Sequence, residues 1–372
     1  MKILMLNYEF PPLGGGASPV TYHLSRELIK LGAYVDVVTM SYRGLKKFEK
    51  IEGINVYRIP CMRSKKEICY THEMLSYDIS ALFFILRLIK KKSYDINHTH
   101  FVIPCGLVSY LLKKFRDIPY VITSHGSDVP GHNPDRFSLQ HKLFKPFWRR
   151  IVENADQIIV PSDYLKNLIL RNIDVDNITI IPHGIYFESF RPREKQKKIL
   201  LASRLFKMKG FQYFLDAIKD LDIDYEINIV GDGPYKEELM KKAKKIKPKV
   251  NFVGWLDNHS REYRRFFEES SLFVFPSSQE SFGRVLLEAM AAGCAIMGSN
   301  TAGCPEVLGD AGILVNPKDH EEIRETLLML IENDNLRRNL AKKARKRVEE
   351  KFSWEKTAKR YLEVYEKTVD GG

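Results

Sequence analysis

Two glutamates in one short stretch offer the clearest chemistry in this chain. In Pro276-Ser277-Ser278-Gln279-Glu280-Ser281-Phe282-Gly283-Arg284-Val285-Leu286-Leu287-Glu288, Glu280 falls in a loop after a buried strand and Glu288 falls inside the helix that begins near Gly283. Eight residues of helix separate two such carboxylates by roughly 12 Å. Carboxylates accept hydrogen bonds from sugar hydroxyls, and the unpaired amides of a helix start donate to phosphate. The stretch can therefore hold hydroxyls at Glu280, phosphate in the middle and ribose hydroxyls at Glu288. Ser203-Arg204-Leu205-Phe206-Lys207-Met208-Lys209-Gly210 follows another strand and carries Arg204 and Lys209, a guanidinium and an ammonium suited to clamping a diphosphate leaving group. Pro11-Pro12-Leu13-Gly14-Gly15-Gly16 leads from the first strand into a helix, where backbone comes close to a ligand and helix amides meet phosphate. It lacks the dinucleotide-binding GxGxxG spacing, and a flexible loop without ligand is its other reading. His125-Gly126-Ser127-Asp128 follows a further strand, where an imidazole can donate to a sugar hydroxyl while Asp128 orients the loop.

Metal chemistry finds less support. His98, His100 and His183 also stand at strand ends, but no histidine or carboxylate partner has the i, i+4 helical spacing of zinc motifs. A strand-end histidine is by itself more often structural. Three Asp-x-Asp pairs, Asp174/Asp176, Asp220/Asp222 and Asp222/Asp224, precede strands. A ligand loop in an open α/β sheet follows its strand, so these read as solvated turns and no catalytic metal is expected. Five scattered cysteines without a CxxC fit reduced thiols in a cytoplasm, and argue against both a disulfide frame and a zinc site.

The elements that must position these groups alternate. Strands are expected at 2–6, 34–39, 55–59, 96–100, 120–123, 157–160 and 179–181. A second series is expected at 199–203, 226–230, 251–253, 272–275, 295–298 and 312–315. Several are continuous apolar runs, the pattern of strands buried on both faces of a parallel sheet. Val20, Leu24, Leu28 and Leu31 mark the first helix, with Ser18 as its expected cap and Pro19 as its first residue. The polar, proline-containing stretch 188–198 reads as a linker. Trp354, Ala358, Tyr361, Leu362 and Tyr365 share one helical face beyond the last strand. The expected organisation is two doubly wound α/β domains, at 1–190 and 195–350, with an interdomain cleft and a helix at 352–369 crossing back to the first domain.

Composition bounds the partners. The 372 residues suit two domains, and 44% hydrophobic with 28% charged residues is an ordinary globular balance. The net charge of +12 divides into +8 over residues 1–194 and +4 beyond, favouring anionic partners. No zinc finger, RNP sequence or recognition-helix pattern supports nucleic acid. The longest apolar stretch, 79–89, is broken by Arg87 and falls short of the ~20 residues a bilayer requires, and the opening apolar run is too short for a signal peptide.

Glu280-x7-Glu288 resembles the signature of the retaining glycosyltransferases of family 4, which have two Rossmann-like domains in the arrangement called GT-B. Ser203-Arg204-Leu205 with Lys209-Gly210, the Gly14–Gly16 loop and His125-Gly126-Ser127-Asp128 match that family in order and spacing. Gly231-Asp232-Gly233-Pro234 and Phe252-Val253-Gly254 are similar to its second domain. The likeness spans nearly the whole chain and is loosest over 40–95; Ser281 stands where many members carry glycine. The resemblance implies that Glu280 contacts donor-sugar hydroxyls, that Phe282 and Gly283 backbone meets sugar or phosphate, and that Glu288 holds the ribose. It implies that Arg204 and Lys209 neutralise the diphosphate. Gly15 and Gly16 would cap that diphosphate or shape the acceptor side, His125 would bind the donor sugar near its reacting carbon, and the Gly254–Leu256 backbone, Leu256 included, would meet the base.

The expected reaction is metal-independent transfer of a sugar from a UDP- or GDP-sugar to an acceptor hydroxyl, with retention through same-face attack. No cofactor is implied. A GT-B epimerase, or a disaccharide phosphorylase or synthase with a soluble acceptor, is the alternative. Residues 83–92, 111–116 and 143–150 mix cations with bulky apolar side chains, Trp148 among them. They suggest a cytoplasmic enzyme held at the anionic inner membrane surface, with a lipid-linked or cell-envelope glycan as acceptor. Ordinary amphipathic helices packed on the sheet are the competing reading of those segments.

Overall fold

The computed structural model describes every residue except Glu67, Asn133 and Gly372, and residues 134–140 by backbone alone. The chain divides into two units. Residues 1–183 and 354–372 make the first, and residues 184–353 make the second.

In the first unit the chain runs β1 (Lys2–Leu6), α1 (Ala17–Lys30), β2 (Tyr34–Met40), β3 (Phe48–Ile51), β4 (Ile54–Ile59) and α2 (Thr71–Leu88). It continues through β5 (Ile96–His100), α3 (Cys105–Arg116), β6 (Tyr120–Thr123), α4 (Pro134–Glu153), β7 (Gln157–Val160), α5 (Asp163–Leu170) and β8 (Ile178–Ile180). The sheet order is β3-β4-β2-β1-β5-β6-β7-β8, parallel throughout except for the hairpin strand β3. The sequence reading omits β3, because its four residues alternate between half-buried and exposed and carry no apolar run. The first helix also begins earlier than expected. Gly16 is its cap and Ser18 donates its amide to Gly15 within the first turn, where Pro19 is tolerated because that turn's amides have no helical partners.

The second unit runs β9 (Gln196–Ala202), α6 (Phe211–Ala217), β10 (Glu226–Val230), α7 (Lys236–Ala243), β11 (Val250–Gly254), α8 (Arg261–Glu269) and β12 (Ser270–Phe275). Then come α9 (Arg284–Ala291), β13 (Ala295–Ser299), α10 (Cys304–Leu308), β14 (Ile313–Val315), α11 (His320–Glu332) and α12 (Asp334–Lys351). Its wholly parallel sheet has the order β11-β10-β9-β12-β13-β14. Leu200 and Ala202 pack into one apolar cluster and Ile199 and Leu201 into another, so β9 is buried on both faces.

Part of the expected linker is structured. Gln196–Lys198 extend β9, and Lys198 pairs with Glu269 at 2.7 Å. Residues 184–190 pack into the second unit: Ile185 donates to Phe352, and Phe190 enters a core cluster there. The last helix, α13 (Trp354–Asp370), belongs to the first unit, where it packs against α1 and buries Trp354, Ala358, Tyr361 and Tyr365. This parallel, doubly wound architecture places every βα loop of a sheet at the strands' carboxyl ends, and the order reverses beside β1 in one unit and β9 in the other.

Candidate active site

In the second unit, β9 lies between β10 and β12, so the loops that follow β9 and β12 are neighbours. The Arg204–Lys209 loop and the Glu280 loop are those two. Lys209 Nζ donates to Glu280 Oε2 at 2.5 Å and stands 5.7 Å from the Phe275 ring centroid. Both side chains of the pair are mostly buried. Arg204 is exposed and makes no ion pair among the described residues.

Backbone contacts fix these loops to one another. Ser278 donates to Met208 and Gly303 to Glu280, each at 2.9 Å, while Leu205 donates to Asp232 at 2.9 Å and Gly231 to Gly254 at 2.8 Å. Two glycines permit the approach. Gly210 has φ +74°, and a Cβ there would lie 1.8 Å from the Pro276 carbonyl oxygen. Gly231 has φ +139°, and its Cβ would lie 1.8 Å from that of Ser203. Only a residue without a side chain fits either place.

Gly283 caps α9 with a left-handed φ of 88°. The Phe282 ring beside it is buried against Phe352, with centroids 5.9 Å apart, which leaves the backbone as the part of residues 282–283 that a ligand can meet. Glu288 is half-buried, and its Oε2 accepts from the Tyr263 hydroxyl at 2.6 Å. Burial raises its pKa, against the pull of Arg284 and the Tyr263 hydrogen bond. The same burial, together with the Glu288 charge, holds the Tyr263 phenol well above its ordinary value. Leu256 follows β11 and is half-buried against the apolar cluster that contains Phe273 and Leu287. Sequence reasoning missed Tyr263; a tyrosine on an amphipathic helix carries no signal for a partner 25 residues on.

In the first unit, the loops after β5 and β6 meet on Asp128. Its carboxylate accepts from the amides of Val102 at 2.9 Å, His125 at 3.1 Å and Gly126 at 3.0 Å, and from the Ser124 hydroxyl at 3.0 Å. Burial raises the Asp128 pKa while these donors pull it down. The His125 ring lies against Phe101 at 4.7 Å, and Phe101 itself adopts a left-handed φ of 72°. His98, His100, His125 and His183 form one group, with consecutive centroids 4.5, 5.2 and 5.6 Å apart; the first pair is tilted and the other two are stacked.

The glycine loop holds a carboxylate of its own chain. Gly15 donates its amide to Glu9 Oε2 at 2.9 Å, and the guanidinium of Arg63 stands 4.0 Å from the other oxygen. A phosphate at Gly15 would have to displace Glu9. Gly16 sits beyond it as the cap of α1.

The Asp-x-Asp pairs lie away from these loops. Asp222 pairs with Lys247 and Asp224 with Lys197, each at 2.7 Å, ahead of β10, and Asp174 and Asp176 lie ahead of β8. Among the described residues no cluster of three or more histidine, cysteine or acidic side chains is arranged to hold a metal ion. One expectation is overturned. Trp148 does not face an interface; it is 2% exposed and donates its indole N–H to the Asp128 carbonyl at 2.8 Å, because its face of α4 packs on the sheet. Among the described residues, no helix is long and apolar enough to cross a membrane.

Two parallel-sheet Rossmann-like units with these strand-end loops define a GT-B glycosyltransferase, and comparison with known proteins agrees. The pattern of Glycosyltransferase Family 4 matches residues 14–188, and that of Glycosyl transferases group 1 matches residues 184–347. The chain belongs to the family 4 glycosyltransferases and is an enzyme of that class. It is 28% identical over 376 residues to an uncharacterized glycosyltransferase of Methanocaldococcus jannaschii, covering 100% of this chain and 99% of that one. It is 27% identical over 383 residues to N-acetyl-alpha-D-glucosaminyl L-malate synthase of Bacillus anthracis, covering 95% and 94%. The fold matches that of sucrose-phosphate synthase from Thermosynechococcus elongatus, with a TM-score of 0.83, 22% identity and 100% of both chains covered. Anabaena HepE, solved in complex with UDP, matches with a TM-score of 0.78 and 17% identity over 98% of this chain and 99% of that one.

Proposed function

We propose that this glycosyltransferase moves a sugar, with retention and without a metal, from a UDP- or GDP-sugar to a hydroxyl of a lipid-linked or cell-envelope glycan. The contact of Lys209 with Glu280 at the strand-order reversal carries the reading, since it joins a phosphate-binding cation to a hydroxyl-binding carboxylate at one point. In this reading Glu280 accepts from donor-sugar hydroxyls, while Phe282 and Gly283 offer backbone to the sugar and phosphate. Glu288 holds ribose, and backbone near Leu256 meets the base. Arg204, Lys209 and the amides at the start of α9 stabilise the charge of the departing diphosphate, the work a divalent ion does elsewhere. His125 contacts the donor sugar near its reacting carbon. Gly15 and Gly16 serve the acceptor side, because Glu9 already occupies the Gly15 amide.

The direct test incubates the protein with UDP- and GDP-sugars, with and without lipid acceptors, and follows nucleotide release. The expected result is release with one nucleotide class, unchanged by EDTA, and an α-linked product from an α-linked donor. Activity abolished by EDTA and restored by Mn²⁺ or Mg²⁺ defeats the metal-free mechanism.

The surface of the first unit supports a membrane-bound acceptor. Neighbouring helices α2, α3 and α4 expose Leu75, Ile79, Phe83, Phe115, Leu143 and Phe147, the last at 60%. Exposed Arg87, Lys90, Lys114, Arg116, Lys145 and Arg149 lie on or just beyond those helices. Each basic residue near an anionic leaflet contributes about 1 kcal/mol. The protein is expected to sediment with anionic liposomes at low salt and to release at high salt. Remaining in the supernatant at low salt would favour a soluble acceptor.

A further inference from the structure

His100 ends β5 and is fully buried. Its Nδ1 lies 3.0 Å from His125 Nε2, and its Nε2 has no hydrogen-bond partner among the described residues. Burial and the neighbouring histidines hold its pKa well below the ordinary value, so the ring is neutral and carries one proton. That proton has two places to go. On Nε2 it would be a buried donor with nothing to accept it, the rarer and costlier kind of orphan. On Nδ1 it lies in the 3.0 Å contact and is donated to His125. An Nε2 that accepts must itself be unprotonated, so a neutral His125 carries its proton on Nδ1.

The layer beneath leaves His100 little freedom to choose otherwise. His98 packs tilted against His100 at 4.5 Å, with Nδ1 bonded to the Tyr365 hydroxyl at 2.6 Å and Nε2 to Thr123 Oγ1 at 2.8 Å. Thr123 in turn meets the Tyr361 hydroxyl at 3.0 Å. Burial takes the His98 pKa down to about 3, so the ring that His100 rests on is neutral as well.

We propose that His100 is a positioning residue that holds His125 as the Nδ1–H tautomer, so that any ring hydrogen bond a neutral His125 donates leaves from Nδ1 and not from Nε2. The inference rests on the proposed role of His125 for its catalytic meaning, though not for its structural content.

Long-range ¹H–¹⁵N correlation on the full chain labelled with ¹⁵N-histidine reads the tautomer directly, with His125→Gln identifying the signal. The expected spectrum shows His125 protonated at Nδ1 and unprotonated at Nε2. In His100→Phe the His125 signal should become a tautomer mixture, and turnover should fall roughly three- to tenfold with the donor KM unchanged. His100→Asn keeps an N–H donor close to the Nδ1 position and should restore both the tautomer and most of the turnover. A wild-type His125 protonated at Nε2, or a His125 tautomer unmoved by His100→Phe, overturns the proposal. Unaltered glycosyl transfer in His125→Gln would instead remove the role proposed for His125, and the wild-type spectrum would still decide the tautomer.

Discussion

Glu280→Ala is expected to slow glycosyl transfer by roughly ten- to hundredfold, the value of one or two hydrogen bonds to a charged acceptor. Its effect on nucleotide binding should run the other way. Lys209 Nζ is held by Glu280 at 2.5 Å, and removing that carboxylate frees the ammonium for a phosphate oxygen. The affinity for the free nucleotide diphosphate should therefore stay level or rise while kcat falls. Glu288→Ala provides the contrast. Its carboxylate is assigned to the ribose, so the donor KM should rise by a similar factor with kcat little changed, the mark of an interaction made equally in ground and transition states. Burial raises the Glu288 pKa, so the ionised form that accepts ribose hydroxyls is lost on acidification before that of an ordinary glutamate. Steady-state kinetics of both variants, with nucleotide affinity from calorimetry, decide the matter. Normal kinetics in both would sink the assignment of the two acids.

Gly210→Ala should abolish donor binding while leaving the first unit folded. The new Cβ would lie 1.8 Å from the Pro276 carbonyl oxygen, with φ at +74°, so neither rotation nor a flexible side chain relieves the clash. The left-handed conformation alone costs about 1–2 kcal/mol for a residue with a Cβ. Separating the backbone of 210 from that of 276 also breaks the donation from Ser278 to Met208, and with it the meeting of Lys209 and Glu280. The expected readout is a lower unfolding midpoint for the second unit and no measurable heat on nucleotide addition. Ala at 210 with native nucleotide affinity would show that the two loops bind independently.

Much of this protein was legible in its sequence because parallel sheets buried on both faces write themselves as continuous apolar runs. The runs at 2–6, 120–123 and 157–160 coincide with β1, β6 and β7. The site loops were legible for the same reason, since a ligand group in an open α/β sheet must follow a strand, and Arg204, Lys209, His125 and Glu280 all do. What stayed hidden depends on residues distant in the chain. Nothing local marks β3, whose place is set by pairing with β4. Gln196–Lys198 likewise extend β9 because they pair with Ser270 of β12 and Glu226 of β10.

By itself the sequence determined the family, the two parallel-sheet units and the chemical types gathered at their loops. The units and the loop chemistry are carried by periodicity and local spacing, and the family by the resemblance of motifs in order along the chain. The tertiary structure alone decided which groups meet. Strand order set the β9 and β12 loops side by side and joined Lys209 to Glu280 across 71 residues. It turned Trp148 inward onto Asp128, laid Glu9 on the Gly15 amide and brought His100 to His125. Packing and hydrogen bonding act through space, so a side chain's partner, and hence its charge, tautomer and availability, is fixed only when the strands have found their order.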